Sequence, residues 1–215
     1  MTTALVTGAN KGIGLEIVKQ LIAEGMDVYL GARDVERGEK AAADTGARFV
    51  QIDVTDPSSV ASAAEKLDRL DVLVNNAAIS QGEIREVFET NVFGVITVTD
   101  ALLPLLRQSE HGRIVNMSSS VGSLAGMVES PAPTSFSYVP SKTALNAVTL
   151  QYVRVLGDTS IKINAACPGY CRTDLNHNTG YRTPAQGAAI AVQLATLGDD
   201  GPTGGFYDDE GVVAW

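Results

Sequence analysis

Two cysteines and two histidines in 215 residues leave little material for metal or thiol redox chemistry. Cys167 and Cys171 flank Pro168-Gly169 without the spacing of a redox pair, and His177 has no partner at metal-ligand spacing. Basic residues are also scarce: 16 Lys and Arg against 25 Asp and Glu give a net charge of -9, which opposes binding to nucleic acid or an anionic membrane. No apolar run approaches the roughly 18 residues that a bilayer-spanning helix needs. The opening Met1-Thr2-Thr3-Ala4-Leu5-Val6 lacks the basic and long apolar regions of a signal peptide. These absences predict a soluble protein of the reducing cytoplasm, without a metal, whose partner is a small molecule. What is present is 45% hydrophobic against 19% charged residues, too apolar for disorder, in a length that suits one domain over residues 1–215.

Short β-branched or apolar runs at residues 4–7, 27–30, 47–52, 72–74, 113–117 and 161–165 read as strands. Between them, residues 11–24, 35–44, 58–67, 84–106, 141–156 and 184–197 are long enough for helices of three turns or more. A seventh short strand is expected at 205–207, after the punctuation Gly201-Pro202-Thr203-Gly204. Strict alternation predicts an α/β fold, a Rossmann-type doubly wound parallel sheet with helices on both faces. Its ligand belongs beyond the C-terminal strand ends, where the strand order reverses.

The first strand runs into Thr7-Gly8-Ala9-Asn10-Lys11-Gly12-Ile13-Gly14, followed by an apolar-periodic helix with Ile17, Val18 and Leu21. Glycine at these spacings permits a sharp turn and lets the main chain approach a pyrophosphate at the positive end of a helix. Gly8, Asn10, Lys11, Gly12, Ile13 and Gly14 are therefore candidate cofactor contacts. The acid that accepts the ribose hydroxyls of NAD, some 20 positions beyond such a loop, is missing. The second strand ends Leu30-Gly31-Ala32-Arg33, with Arg37 a helical turn on. Arg33, Arg37 and Lys11 suit a phosphate, which favours NADP(H); a solvated basic face beside Asp34 and Glu36 is the bland alternative. Asp53-Val54 would meet an adenine edge.

Tyr138-Val139-Pro140-Ser141-Lys142 places a tyrosine and a lysine on one face of a helix if Pro140 lies in its first turn. Alone the spacing is weak; its partners are Ser118-Ser119-Ser120 at the end of another strand and Asn91 in a helix between. Together the loop 7–14, Asn75-Asn76-Ala77-Ala78, Asn91, Ser118-Ser119, the 138–142 motif and Pro168-Gly169-Tyr170-Cys171-Arg172-Thr173 resemble, in order, the motifs of the classical short-chain dehydrogenases/reductases. Within that family the loop, the segment 32–38, residues 70–76 and the tail 201–215 are most similar to the NADPH-dependent carbonyl reductases.

The resemblance implies that Tyr138 passes a proton to or from the substrate oxygen, and that Lys142 lowers its pKa by charge and meets the nicotinamide ribose. Ser119 would polarise the carbonyl, with Ser118 as the fallback, and Asn91 would hold a water linking Lys142 to solvent. Strand alternation carried past Met117 would put Ser118 and Ser120 together, opposite Ser119. Asn76 would contact the ribose, Pro168 and Gly169 the cofactor, and Thr173 the carboxamide. The implied activity is reversible reduction of ketones and aldehydes by NADP(H). The rivals are an NAD-dependent alcohol dehydrogenase and a cofactor-sensing protein without turnover.

The chain also departs from the family. Ala78 replaces a usual glycine, and the span from Asn76 to Asn91 is short, which would leave the pocket open on that side. The lid at residues 174–183 is short and polar, suiting small or medium carbonyl compounds. Homodimer, homotetramer and monomer are all compatible with the insertion lengths. The triplet Asp208-Asp209-Glu210 reads as a solvated turn.

Overall fold

In β1 (Thr3–Val6) every residue is buried, as a central strand of a parallel sheet requires. Successive side chains feed opposite layers: Ala4 and Val6 pack with one cluster and Leu5 with the other. The computed structural model describes residues 1–157 and 159–215. The remaining strands are β2 (Asp27–Ala32), β3 (Arg48–Gln51), β4 (Val72–Asn75), β5 (Arg113–Met117), β6 (Lys162–Ala166), β7 (Phe206–Asp208) and β8 (Gly211–Val212). Their order is β3-β2-β1-β4-β5-β6-β7-β8, and β1 to β7 run parallel. The chain winds outward to β3 and returns past β1 to β4, so the order reverses between β1 and β4.

Among the described residues the sheet has eight strands rather than the expected seven, because β8 adds an antiparallel hairpin. Asp208 Oδ1 accepts the Glu210 and Gly211 amides at 2.9 and 3.0 Å, turning the chain back. The acidic triplet is thus a turn, although Asp209 is tied to Arg182 at 2.8 Å.

Helices α1 (Gly12–Ala23), α2 (Val35–Thr45), α3 (Pro57–Ala64), α4 (Ile84–Phe88), α5 (Gly94–Leu106), α6 (Tyr138–Val155) and α7 (Pro184–Ala195) cover both faces. Ile17, Val18 and Leu21 of α1 pack with Ile190, Ala191 and Leu194 of α7 against Val6, Leu30 and Val74. Val98, Leu102 and Leu106 of α5 pack with Tyr152 of α6 against Leu5, Leu73 and Ile114 on the other face. Each fully buried Val, Leu or Ile among them stabilises the fold by about 1.5–3 kcal/mol.

The predicted helix 84–106 is interrupted by a π-helical turn at Glu89–Phe93, with Asn91 fully buried in it. Contrary to the sequence expectation, this 23-residue stretch is long and apolar enough by composition to cross a membrane, with mean hydropathy 1.2 over its most apolar window. Half of that window is buried in the protein, and α5 forms one wall of the core. The helix expected from residue 141 starts at Tyr138, which puts Pro140 in the first turn, where a missing N–H costs nothing.

Candidate active site

At the C-terminal end of β1 the chain turns through Gly8, at φ +63, whose absent Cβ would lie 2.8 Å from Ala77 Cα. A Cβ on Gly14 would lie 2.4 Å from Asn76 Nδ2 and 2.7 Å from Gly8 O, so α1 can follow the turn this closely only with glycine there. Asn76 ties the loop to the end of β4: its Nδ2 donates to Thr7 O at 2.9 Å and Gly8 O at 3.1 Å. Its amide donors are committed to this scaffold. Lys11 is the N-cap residue of α1, yet neither a capping side chain nor a first-turn acid neutralises the helix start. These amides are available to an anion.

They face a cavity of about 660 Å³ at the switch point, a volume in the range of small-molecule sites. Of the predicted cofactor residues, Gly8, Asn10 through Gly14, Arg33, Asp53, Val54, Asn76 and Thr173 line it. Arg37, Pro168, Gly169, Tyr138 and Lys142 lie outside its walls. The open, glycine-lined cradle fits a dinucleotide pyrophosphate.

Two of the three candidate phosphate cations are paired with carboxylates. Lys11 Nζ pairs with Asp174 at 2.7 Å across the cavity mouth, and Arg37 Nε pairs with Asp34, the N-cap of α2, at 3.5 Å. Among the described residues Arg33 makes no ion pair. Asp53 accepts Thr55 N and Oγ1 at 3.0 and 2.7 Å, shaping the turn beneath the cavity.

Beyond the cavity, Tyr138 and Lys142 stand one turn apart on α6. Lys142 is buried, and its Nζ donates to Met117 O at 2.7 Å and lies 5.7 Å from the centre of the Tyr138 ring. Burial pushes the lysine down to about 8. Tyr138 is pushed up to about 12 by burial, against a lowering hydrogen bond from Ser119. The direction is opposite to the lowering expected from Lys142, because burial of the phenol is the largest influence on it.

The serines separate by environment. Ser118 is buried and its Oγ donates to Asn146 Oδ1 at 2.5 Å, whereas half-buried Ser119 faces Tyr138. Ser120 is exposed and starts a 3-10 turn, Ser120–Gly122, so it does not share the Ser118 environment. Strand alternation stops at Met117 because β5 ends there.

The Asn91 side chain ties the loop after β4 to α6. Its Oδ1 accepts Ile79 N at 2.9 Å, and its Nδ2 donates to Ile79 O at 2.9 Å and Ser141 Oγ at 3.0 Å. Ser141 Oγ in turn donates to Tyr138 O at 2.7 Å. Ser141 is a site residue that the sequence reading passed over, although it stands beside Lys142 in the motif. Asp174 and Arg172 at the cavity wall were also missed; they adjoin Thr173, which was the available signal.

Gly169, at φ +72, packs on Arg182, and the Cys171 thiol donates to Pro168 O at 3.2 Å, so this segment forms a braced turn. Both cysteines are buried and free. Ser80 Oγ donates to Leu175 O at 2.6 Å, and Gln81 Nε2 meets exposed His177 Nε2 at 2.7 Å. The side expected to be open is therefore bridged, because the short loop after β4 reaches the lid.

A doubly wound sheet with a glycine-lined cavity at its switch point, and a Ser-Tyr-Lys cluster beside it, defines a Rossmann-type oxidoreductase. The sequence model for short chain dehydrogenases matches residues 2–183, and the chain belongs to that family. Carbonyl reductase (NADPH) 1 of Sus scrofa is 34% identical over 99% of this chain and 93% of the relative. Salutaridine reductase of Papaver bracteatum is 32% identical over 97% of this chain and 94% of the relative. The solved NADPH-bound carbonyl reductase from chicken fatty liver superposes with a TM-score of 0.88 at 29% identity, covering 100% of this chain and 99% of that one.

Proposed function

We propose that this chain is an NADP(H)-dependent carbonyl reductase, folded as one domain in the cytoplasm, that interconverts ketones or aldehydes with alcohols. The observation that carries the reading is Ser119 facing the Tyr138 phenol, with buried Lys142 on the same helix face. When bound, the dinucleotide supplies or accepts hydride at nicotinamide C4. Gly12, Ile13 and Gly14 present main-chain amides to the pyrophosphate, and Arg33, from the cavity wall, meets the 2′-phosphate. Ser119 donates to the substrate oxygen as negative charge develops there. Tyr138 gives that oxygen its proton in reduction and takes it back in oxidation. Lys142, on the Met117 carbonyl, holds a proton donor behind the phenol.

The short lid favours small or medium carbonyl compounds. NADPH binding in the chicken carbonyl reductase supports the choice of cofactor. An NAD-linked alcohol dehydrogenase is favoured by one observation, the pairing of Lys11 and Arg37 with carboxylates, which leaves Arg33 alone for the phosphate. The test is oxidation of NADPH and NADH against a panel of aldehydes, ketones, diones and quinones, with Tyr138→Phe and Arg33→Ala beside the wild type. Tyr138→Phe abolishes turnover and keeps NADPH binding, and Arg33→Ala weakens NADPH far more than NADH. Surviving turnover in Tyr138→Phe rejects the mechanism, and preference for NADH rejects the cofactor assignment.

A further inference from the structure

The segment from Thr173 to His177 bridges the mouth of the cavity. Asp174 ties it to Lys11 on the glycine loop, while Leu175 O and His177 tie it to Ser80 and Gln81 on the opposite wall. The bridge is a 3-10 turn, Asp174–Asn176, capped by Thr173 and closed by His177 and Asn178 at φ +54 and +60. Of its three attachments, the Lys11–Asp174 pair alone joins opposite charges, over a sequence separation of 163 residues. The pair is short, at 2.7 Å, but its side chains are 59% and 65% exposed, so it is screened and easily exchanged.

Lys11 is also the one cation within the glycine loop. We propose that Asp174 is a positioning residue that sets cofactor preference: it holds Lys11 in the free protein, and a dinucleotide carrying a 2′-phosphate draws Lys11 away and opens the clasp. The proposal rests on the NADP(H) reading above and deepens it. A phosphate monoester carries about -1.5 to -2 charges at neutral pH and three acceptor oxygens, against the single charge of a carboxylate, so it wins the exchange. NADH shares the pyrophosphate, which the Gly12, Ile13 and Gly14 amides receive, but lacks the phosphate monoester, so the clasp stays shut over it. The Arg37–Asp34 pair does not act likewise, because it joins two residues of one helix start and its rupture frees no other segment.

The test is fluorescence titration of NADPH and of NADH at low ionic strength with wild type, Asp174→Asn, Lys11→Met and the double variant. Asparagine keeps the size of the side chain and removes its charge. Asp174→Asn is expected to tighten NADPH about two- to fivefold, the reach of an exposed ion pair, and to change NADH less. In the Lys11→Met background the same substitution changes neither, and added salt shrinks the gain. Weaker NADPH binding in Asp174→Asn, equal changes for the two cofactors, or a gain that persists without Lys11 would overturn the proposal. Failure of the wild type to bind NADPH would overturn the function reading as well, whereas normal binding without the Lys11-dependent gain rejects the clasp alone.

Discussion

The Asn91 amide donates to Ser141 Oγ at 3.0 Å, joining the π-helical turn after α4 to the first turn of α6. Because Ser141 donates onward to Tyr138 O, the pair sets the height of the helix start that carries the phenol.

Ser141→Ala therefore leaves a fully buried Asn91 one acceptor short. The expected loss is about 1–3 kcal/mol in denaturant unfolding. A shifted Tyr138 lowers kcat roughly tenfold or more, with little change in KM for the cofactor. Ser141→Thr, which keeps the hydroxyl, recovers most of both; equal kcat in Ala and wild type would show that the contact does not position the phenol.

The two adjacent serines differ in what they lose. Ser118→Ala strands Asn146 Oδ1 in the core and lowers the unfolding midpoint. Ser119→Ala removes the donor at the substrate oxygen and lowers kcat by about 10²–10³. Reversed effects in steady-state kinetics would make Ser118 the catalytic serine.

Lys142 is pushed down to about 8 by burial, below the 10.5 of a free lysine. The unfolded chain thus binds the extra proton between these values, and stability rises with pH across that window. Tyr138, pushed up to about 12 from 10.0, acts in the opposite direction, and its contribution falls between those pH values. Thermal midpoints of wild type, Lys142→Met and Tyr138→Phe from pH 7.5 upward separate the two. Lys142→Met flattens the lower limb and Tyr138→Phe the upper one; unchanged limbs would contradict the two shifts.

Gly14→Ala adds a Cβ 2.4 Å from Asn76 Nδ2 and 2.7 Å from the Gly8 carbonyl. Because the second neighbour is backbone, the loop must move, at about 1–3 kcal/mol in stability. NADPH and NADH are both weakened, since the cradle serves the pyrophosphate common to them. Calorimetric titration that shows unchanged affinity would place the pyrophosphate elsewhere.

The alternation of apolar runs with helical periods is enough to specify the parallel sheet, since both signals are local and repeat along the chain. The glycine loop was equally readable, because its turn depends on residue type at a few adjacent positions. Tyr138 and Lys142 share a helix face by spacing alone, once Pro140 marks the first turn. What the tertiary structure decided were choices among equivalent groups. Ser118 and Ser119 differ only in what surrounds them, and the amide of Asn91 serves Ile79 and Ser141 because α4, the π turn and α6 pack together. Lys11 turns to Asp174 across 163 residues of sequence, and no local pattern encodes a partner at that distance. Periodicity and turn chemistry act over a few residues and are written in the chain; desolvation and hydrogen-bond commitment depend on the neighbours that folding supplies.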